Sequence, residues 1–270
     1  MKSLTRRQIN EKIFHDKWAK SISSRDFFYK ETFESPTAIE NHFILSQMGK
    51  LTGKKILDLG CGVGDASIYF AKKGADVKAI DISPKMVSFL KKFAKKEKVG
   101  RKIHSMVMPA ETLLFSQSTF DYVYGYGVLH HVDFLKTASE IKRVLKKGAY
   151  GYFIEPLAYN PVIEVYRKMA SQVRTDDEKP LSLADIKKFS SFFQTSSHNE
   201  FHLCTLLIFI WFYFGKKTHP NQERYWKKLL VEGYRYKRVF NILNNIDKIL
   251  LQVFPFLSRF CWTTVIIVQK

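Results

Sequence analysis

Cysteine, proline and acidic side chains are all scarce in this chain of 270 residues, and each scarcity narrows what the protein can be. The three cysteines, Cys61, Cys204 and Cys261, lie far apart and outside any C-x-x-C or histidine-rich pattern. Neither a disulfide framework nor a metal-binding knuckle is expected; no metal site is assigned, and a reducing, cytoplasmic setting fits. Long apolar runs are missing as well. The longest, Leu203 to Phe214 with Thr205 counted in, falls well short of the roughly twenty residues that a bilayer-spanning helix needs. The first twenty residues, MKSLTRRQINEKIFHDKWAK, have no apolar core of a secretory signal. Asp and Glu number 25 against 44 Lys and Arg, a net charge of +19. Such an excess suggests nucleic acid or an anionic membrane as partner. Here it is spread along the chain and no RNA-binding signature accompanies it, so nucleic acid is not the expected partner. The densest cluster, Lys91, Lys92, Lys95, Lys96, Lys98, Arg101 and Lys102, reads as the solvated outer face of a helix. Peripheral contact with an anionic membrane stays open as the alternative.

What is present points to one α/β domain with an added cap. Hydrophobic residues make up 46% of the chain, enough for a substantial core. The most informative segment is Lys55 to Asp65, KILDLGCGVGD. A short apolar run leads to Asp58, then to glycines at 60, 62 and 64, the pattern of a buried strand that turns tightly into a helix. Glycines let the main chain take conformations other residues resist and leave room for a ligand beside it. The helix start offers unpaired N–H groups to a polar group, and Asp58 suits a cationic one. A second apolar run, ADVKAI, ends in Asp81, placed where doubly wound folds keep an acid for ribose hydroxyls. The spacing G-x-G-x-G differs from the G-x-G-x-x-G of dinucleotide sites.

Strands are expected at 55–59, 76–81, 103–108, 120–125 and 149–154, with helices at about 65–73, after Ser83-Pro84, at 134–146 and at 161–171. This alternation predicts a parallel sheet with helices on both faces. A sixth strand is expected within 193–204, and WTTVIIVQK supplies the last. Residues 205–258 are too many for a bare loop and read as inserted helices.

On these residues the chain resembles the class I S-adenosylmethionine-dependent methyltransferases, within the type 11 group that includes quinone and other small-molecule methyltransferases. The resemblance runs from Leu51 to Pro156. It implies a Rossmann-like doubly wound seven-stranded sheet, mostly parallel with the last strand antiparallel, and S-adenosylmethionine as cofactor. Residues 1–50 would then be a helical segment over the active site, 51–204 the cofactor-binding core, 205–258 an inserted helical cap and 259–270 the last core strand. Cofactor-binding positions carried over are Asp58, Gly60 and Gly62 for the methionine half, Asp81 for the ribose diol, and Ile82, Ala110 and Glu111 for adenine, with Gly125 and Tyr126 beneath the sulfonium. Pro109 stands where the family often has an adenine-binding Asp, which leaves adenine to main-chain groups.

Leu129-His130-His131-Val132 matches a family segment in which a histidine faces the substrate, so His131, then His130, are the candidate bases. A base is needed only if the acceptor loses a proton. Glu155 either binds substrate or forms a structural salt bridge. His15, Asp16 and Trp18 either close over the pocket or serve ordinary packing, and Arg174, Asp176 and Glu178 either touch substrate or solvate a loop. The aromatic-rich insert, LLIFIWFYF with Tyr225, Trp226, Tyr234, Tyr236 and Phe240, suits a hydrophobic, lipid-like small-molecule acceptor. Methylation of nucleic acid or protein, and cofactor binding without turnover, are the competing readings.

Overall fold

The computed structural model describes residues 4–21, 27–170 and 179–270. Its centre is a seven-stranded sheet of β1 (Lys55–Leu59), β2 (Asp76–Asp81), β3 (Ile103–Val107), β4 (Phe120–Tyr126), β5 (Leu145–Pro156), β6 (Thr195–Phe201) and β7 (Thr263–Gln269). The strand order is β3-β2-β1-β4-β5-β7-β6. β1 pairs in parallel with β2 and β4, while β7 runs antiparallel to both β5 and β6. This is the expected Rossmann-like sheet, with the order reversing beside β1, where ligands of such folds bind.

Alternation along the strands sends successive side chains to opposite faces. Leu57, Val123, Phe153 and Ile266 enter one core with α6 (Phe134–Val144) and α8 (Leu183–Ser190). Ile56, Tyr124, Tyr152 and Val265 enter the other, with α2 (Tyr29–Glu34), α3 (Ile39–Met48), α4 (Asp65–Lys72) and α5 (Pro84–Lys96). α5 buries Met86, Leu90 and Phe93 and leaves its lysines to solvent, as its sequence predicts. The exposed edge strand β6 is polar, TSSHNEF, which discourages pairing with another chain.

Three local expectations need correcting. The helix expected to stop at Gly148 ends at Val144; Leu145 already pairs with Phe120, and Lys146 reaches Asp121 at 2.7 Å, drawing the chain into β5 early. The described residues among the first fifty do not form one cover. α1 (Arg6–Trp18) and the start of α2 line the central cleft, whereas α3 packs on the sheet, where Tyr124 donates to Asn41 Oδ1 at 2.8 Å. Residues 255–260 form a 3-10 stretch, so β7 starts at Thr263.

Residues 205–258 hold α9 (Leu207–Phe214), α10 (Tyr225–Val231) and α11 (Gly233–Val253). With Ile163 of α7 (Pro161–Met169) they build a third core around Phe209, Phe212, Tyr225, Leu229 and Phe240. Asp247 explains the one acid of α11. It is buried and accepts the amides of Leu203 at 3.1 Å and Cys204 at 2.5 Å, so α11 caps the turn that starts α9.

Candidate active site

A cavity of about 420 Å³ opens at the carboxyl ends of β1, β2, β4 and β5. Its floor is the glycine loop. Gly60 and Gly62 have φ of +68° and +51°, the left-handed region that glycine adopts without strain. A Cβ on Gly60 would meet Val128 Cγ2 at 2.7 Å, so that position is closed by packing as well. The loop is tied to the tip of β2: Cys61 N donates to Ile80 O at 2.8 Å and Gly62 N to Asp81 Oδ2 at 2.9 Å. Ser83 N donates to the other Asp81 oxygen at 2.8 Å. Each carboxylate oxygen keeps a second lone pair for a hydroxyl on the cavity side.

Acids gather on this floor. Asp58 is buried, accepts Ser67 Oγ–H at 2.5 Å, and is pushed up to about 7, chiefly by its loss of water, with Asp81 adding repulsion. Asp65, which accepts Phe28 N–H at 3.1 Å, is likewise raised to about 7 by desolvation. Burial also raises Asp81, against the pull of His15 and the two amides. Carboxylates held in this state favour a ligand that brings positive charge into the cavity.

Beside the floor stands the turn Leu129–His131. Its organiser is Glu155, fully buried at the end of β5. Val128 N and Leu129 N donate to Glu155 Oε1 at 2.9 and 2.7 Å, and His130 Nδ1 lies 2.6 Å from Oε2. A carboxylate facing Nδ1 orients the ring and favours the tautomer with its proton there. His131 is arranged differently: its Nδ1 lies 3.2 Å from Glu11 Oε2 on α1, and its ring meets His15 edge-on at 5.9 Å.

α1 forms the roof. Arg7 Nη2 donates to His130 O at 2.9 Å and Ser83 Oγ to Asp16 Oδ1 at 2.6 Å, so the helix is fastened to both sides of the cleft. Gln8, Glu11, Phe14, His15 and Trp18 face the cavity. Desolvation lowers His15, which opposes its protonation even with Asp81 and Glu11 nearby. Across the cavity, Ile163, Tyr166, Trp226, Leu230 and Trp262 supply an apolar wall from α7, α10 and the approach to β7. Arg224 sits at its rim, 4.3 Å from the Trp18 ring.

Asp58, Gly60, Gly62, Asp81, Ile82, Ala110, Glu111, His130 and His131 all line this one cavity. Tyr126 does too, and Glu111 also accepts Asp133 N–H at 3.2 Å, which steadies the start of α6. Gly125 does not belong with them. Its missing side chain makes room for Val128 Cγ1 and Phe153 Cδ1, which an added Cβ would meet at 2.8 and 2.9 Å. Glu155 serves the histidine turn rather than lining alone, and His15 and Trp18 reach the site from α1 while Asp16 anchors that helix. Arg174, Asp176 and Glu178 lie outside the described residues. Sequence reasoning missed Glu11, an acid on a helix with a weak apolar pattern: it lies 3.6 Å from His15 Nε2 one turn on, but its contact with the histidine turn, at His131, spans more than a hundred residues.

A family profile described as "Methyltransferase domain" matches residues 57–153. The chain is 32% identical over 150 residues to a sterol 24-C-methyltransferase of Gibberella zeae, covering 54% of this chain and 40% of that protein. It is 35% identical over 129 residues to the demethylmenaquinone methyltransferase of Lactococcus lactis, covering 46% of this chain and 50% of that one. The chain thus spans about half or less of the length of these curated relatives. Among solved structures, the Haemonchus contortus phosphoethanolamine N-methyltransferase 2, in complex with phosphomonomethylethanolamine and S-adenosylhomocysteine, superposes with a TM-score of 0.62. That match is 20% identical and covers 96% of this chain and 59% of the other.

Proposed function

We propose that this chain, a member of the class I S-adenosylmethionine-dependent methyltransferases, moves a methyl group to a hydrophobic, lipid-like small molecule in the cavity roofed by α1. The observation that carries the reading is Asp81, at the tip of β2, gripping the glycine loop while its carboxylate faces the cavity. The cofactor, when bound, supplies a methyl carbon activated by a sulfonium.

The residues present fit such a group. Asp81 offers acceptors to a ribose diol, and Gly60 and Gly62 give the methionine half access to the main chain. Asp58 and Asp65, raised by burial, gain by facing an ammonium or sulfonium. Ile82, Met108, Pro109 and Ala110 give an adenine ring apolar surroundings.

Alignment of acceptor and methyl is the chief task of the protein in such a displacement. The wall of Tyr166, Trp226 and Trp262 offers an apolar acceptor a seat between α1 and α10. A cavity roofed in this way suits a small molecule better than a polymer. His130 is the better placed base: Glu155, itself fixed by backbone amides, holds its Nδ1 and leaves Nε2 to take a proton from a hydroxyl or acidic carbon. His131, the first expectation, relies on Glu11 and therefore on α1 being closed. The likeness to sterol and quinone methyltransferases supports a lipid-like acceptor.

The test is a screen of purified protein with methyl-labelled S-adenosylmethionine against separate lipid and aqueous extracts. Label is expected in the lipid fraction and absent with Asp81→Ala. Transfer only into the aqueous fraction overturns the acceptor class. Tight cofactor binding with no transfer into either fraction overturns the enzymatic reading.

A further inference from the structure

Outside the cavity, the strongest unassigned feature is the outer face of the cap. On α11, Val239, Ile242, Ile246, Ile249 and Val253 recur at alternating steps of three and four, and all five are exposed. They lie apart from the face that turns Tyr236, Phe240 and Asp247 inward. α9 repeats the arrangement on a smaller scale. It buries Ile208, Phe209 and Phe212 and exposes Leu207, Ile210, Trp211 and Phe214. Phe254 and Phe256 extend the exposed apolar surface beyond the end of α11. A patch of this extent marks an interaction site rather than ordinary surface.

Charge decides the occupant. Every ionic side chain of α11 that reaches solvent is a cation: Arg235, Lys237, Arg238 and Lys248. Its acid, Asp247, is buried and occupied with the amides that start α9. Lys216 and Lys217 follow the exposed end of α9. A second copy seated on this face would set cations against cations in a chain of net charge +19. An anionic headgroup layer neutralises them instead. An apolar stripe flanked by Lys and Arg, with Trp and Phe beside it, is the composition of a helix lying in the plane of a lipid interface. Among the described residues no helix is long and apolar enough to cross a membrane.

We propose that the outer face of α9, α11 and residues 254–256 docks on an anionic lipid bilayer. The helix that carries the docking stripe also packs, on its inner side, into the apolar cluster behind the cavity wall. Phe240 and Leu243 belong to the same packed group as Ile163, Tyr166, Trp226 and Trp262. The inference goes beyond methyl transfer, because vesicle binding needs no turnover. It also moves the membrane surface away from α5, whose lysines stand over apolar residues already buried.

The full chain is sedimented at low salt with phosphatidylcholine vesicles, with and without phosphatidylserine. Binding is expected only to the vesicles containing phosphatidylserine, and added salt releases it. The double variant I242E/I249E is expected to bind them roughly tenfold or more weakly, with circular dichroism and S-adenosylmethionine affinity as in the unaltered chain. K91E/K95E on α5 changes vesicle binding by no more than about twofold. Should the helix variant lose its fold, F256E in the exposed 3-10 stretch reads the same face and is expected to weaken binding. Failure to bind vesicles at low salt overturns the proposal, as does equal binding by I242E/I249E or F256E. A dimer that I242E/I249E turns into monomer, without vesicle binding, assigns the face to a second copy. Loss of cofactor binding with vesicle binding intact removes the methyl-transfer reading and leaves the docking face standing.

Discussion

The floor of the cleft and the outer face of the cap are chemical opposites within one basic chain. The cleft collects the scarce acids: Asp58 and Asp81 are buried in its floor with Asp65 half-buried among them, Glu155 is buried beside it and Glu11 in its roof. The outer cap collects cations around exposed aliphatic side chains. Net charge describes neither region. A surplus of lysine is compatible with an acidic pocket because the few acids are placed where desolvation and ligand charge give them effect. It becomes a membrane signal only where the apolar residues beside it are left uncovered. α5 and α11 make the point directly: both are basic, but only α11 keeps an apolar stripe in water.

If floor and cap work separately, changes in one should leave the other's readout alone. The largest effect is expected at His130. If His130 is the base we propose, replacing it with Ala should cut turnover by roughly 10²–10⁴-fold. Donor affinity and vesicle binding should stay unchanged, as measured by labelled transfer at saturating donor and by sedimentation. Asp81→Ala comes next. It removes acceptors for two hydroxyls and frees the Gly62 and Ser83 amides, and donor affinity by calorimetry should fall by about a hundredfold. Vesicle binding should again be unaffected. A loss of membrane binding in either variant would show that the two regions are coupled.

From the cap side, Phe240→Ala empties a fully buried site and should destabilise the chain by about 3–5 kcal/mol in chemical denaturation. Vesicle binding should weaken with it, because α11 loses its seat, while donor affinity at low temperature changes little. If donor affinity falls in step with stability, the cap and the cofactor floor unfold as one unit.

How much of this was legible beforehand follows the reach of each interaction. The strands and the glycine loop are written in neighbouring residues, and Asp81 was found because it ends an apolar run at a known distance from Gly60. The sheet's topology could be expected because strand and helix alternate. The histidine turn was visible as a motif and Glu155 as either a substrate ligand or a structural salt bridge, but that the two are partners was not. Glu155 acts on residues 25 to 27 positions away, and Arg7 reaches His130 across 123. Glu11 gave no signal at all, because only the folded chain brings α1 over the turn. Gly125 was carried over from the resemblance as a ligand position; what no sequence shows is that the space beside it is filled by Val128 and Phe153. The cap could be located by length and composition, yet which helical stripe stays exposed depends on how α9, α10 and α11 pack together.

The smallest effect expected is also the one that bears most directly on the floor's acids. Asp58 and Asp65 are both held at about 7 by desolvation, against an ordinary aspartate value near about 3.9. Folding therefore favours their protonated forms. That contribution to stability is fully present below about pH 4 and is lost as pH rises through about 7. A cationic ligand reverses the preference, since it binds best when the two carboxyls are ionised. Affinity for S-adenosylmethionine should accordingly rise several-fold between about pH 6 and about pH 7.5, while the melting temperature of the free protein falls over the same window. Binding at the lower end should release protons, seen as a calorimetric enthalpy that varies with the buffer's heat of ionisation. Asp58→Asn should flatten the profile. Vesicle binding offers the contrast: the cations of α11 are Lys and Arg, which do not titrate in this range, so it should stay level. A flat affinity profile in the unaltered chain would remove Asp58 and Asp65 from recognition of the ligand's charge and leave Asp81 to act through hydrogen bonds alone.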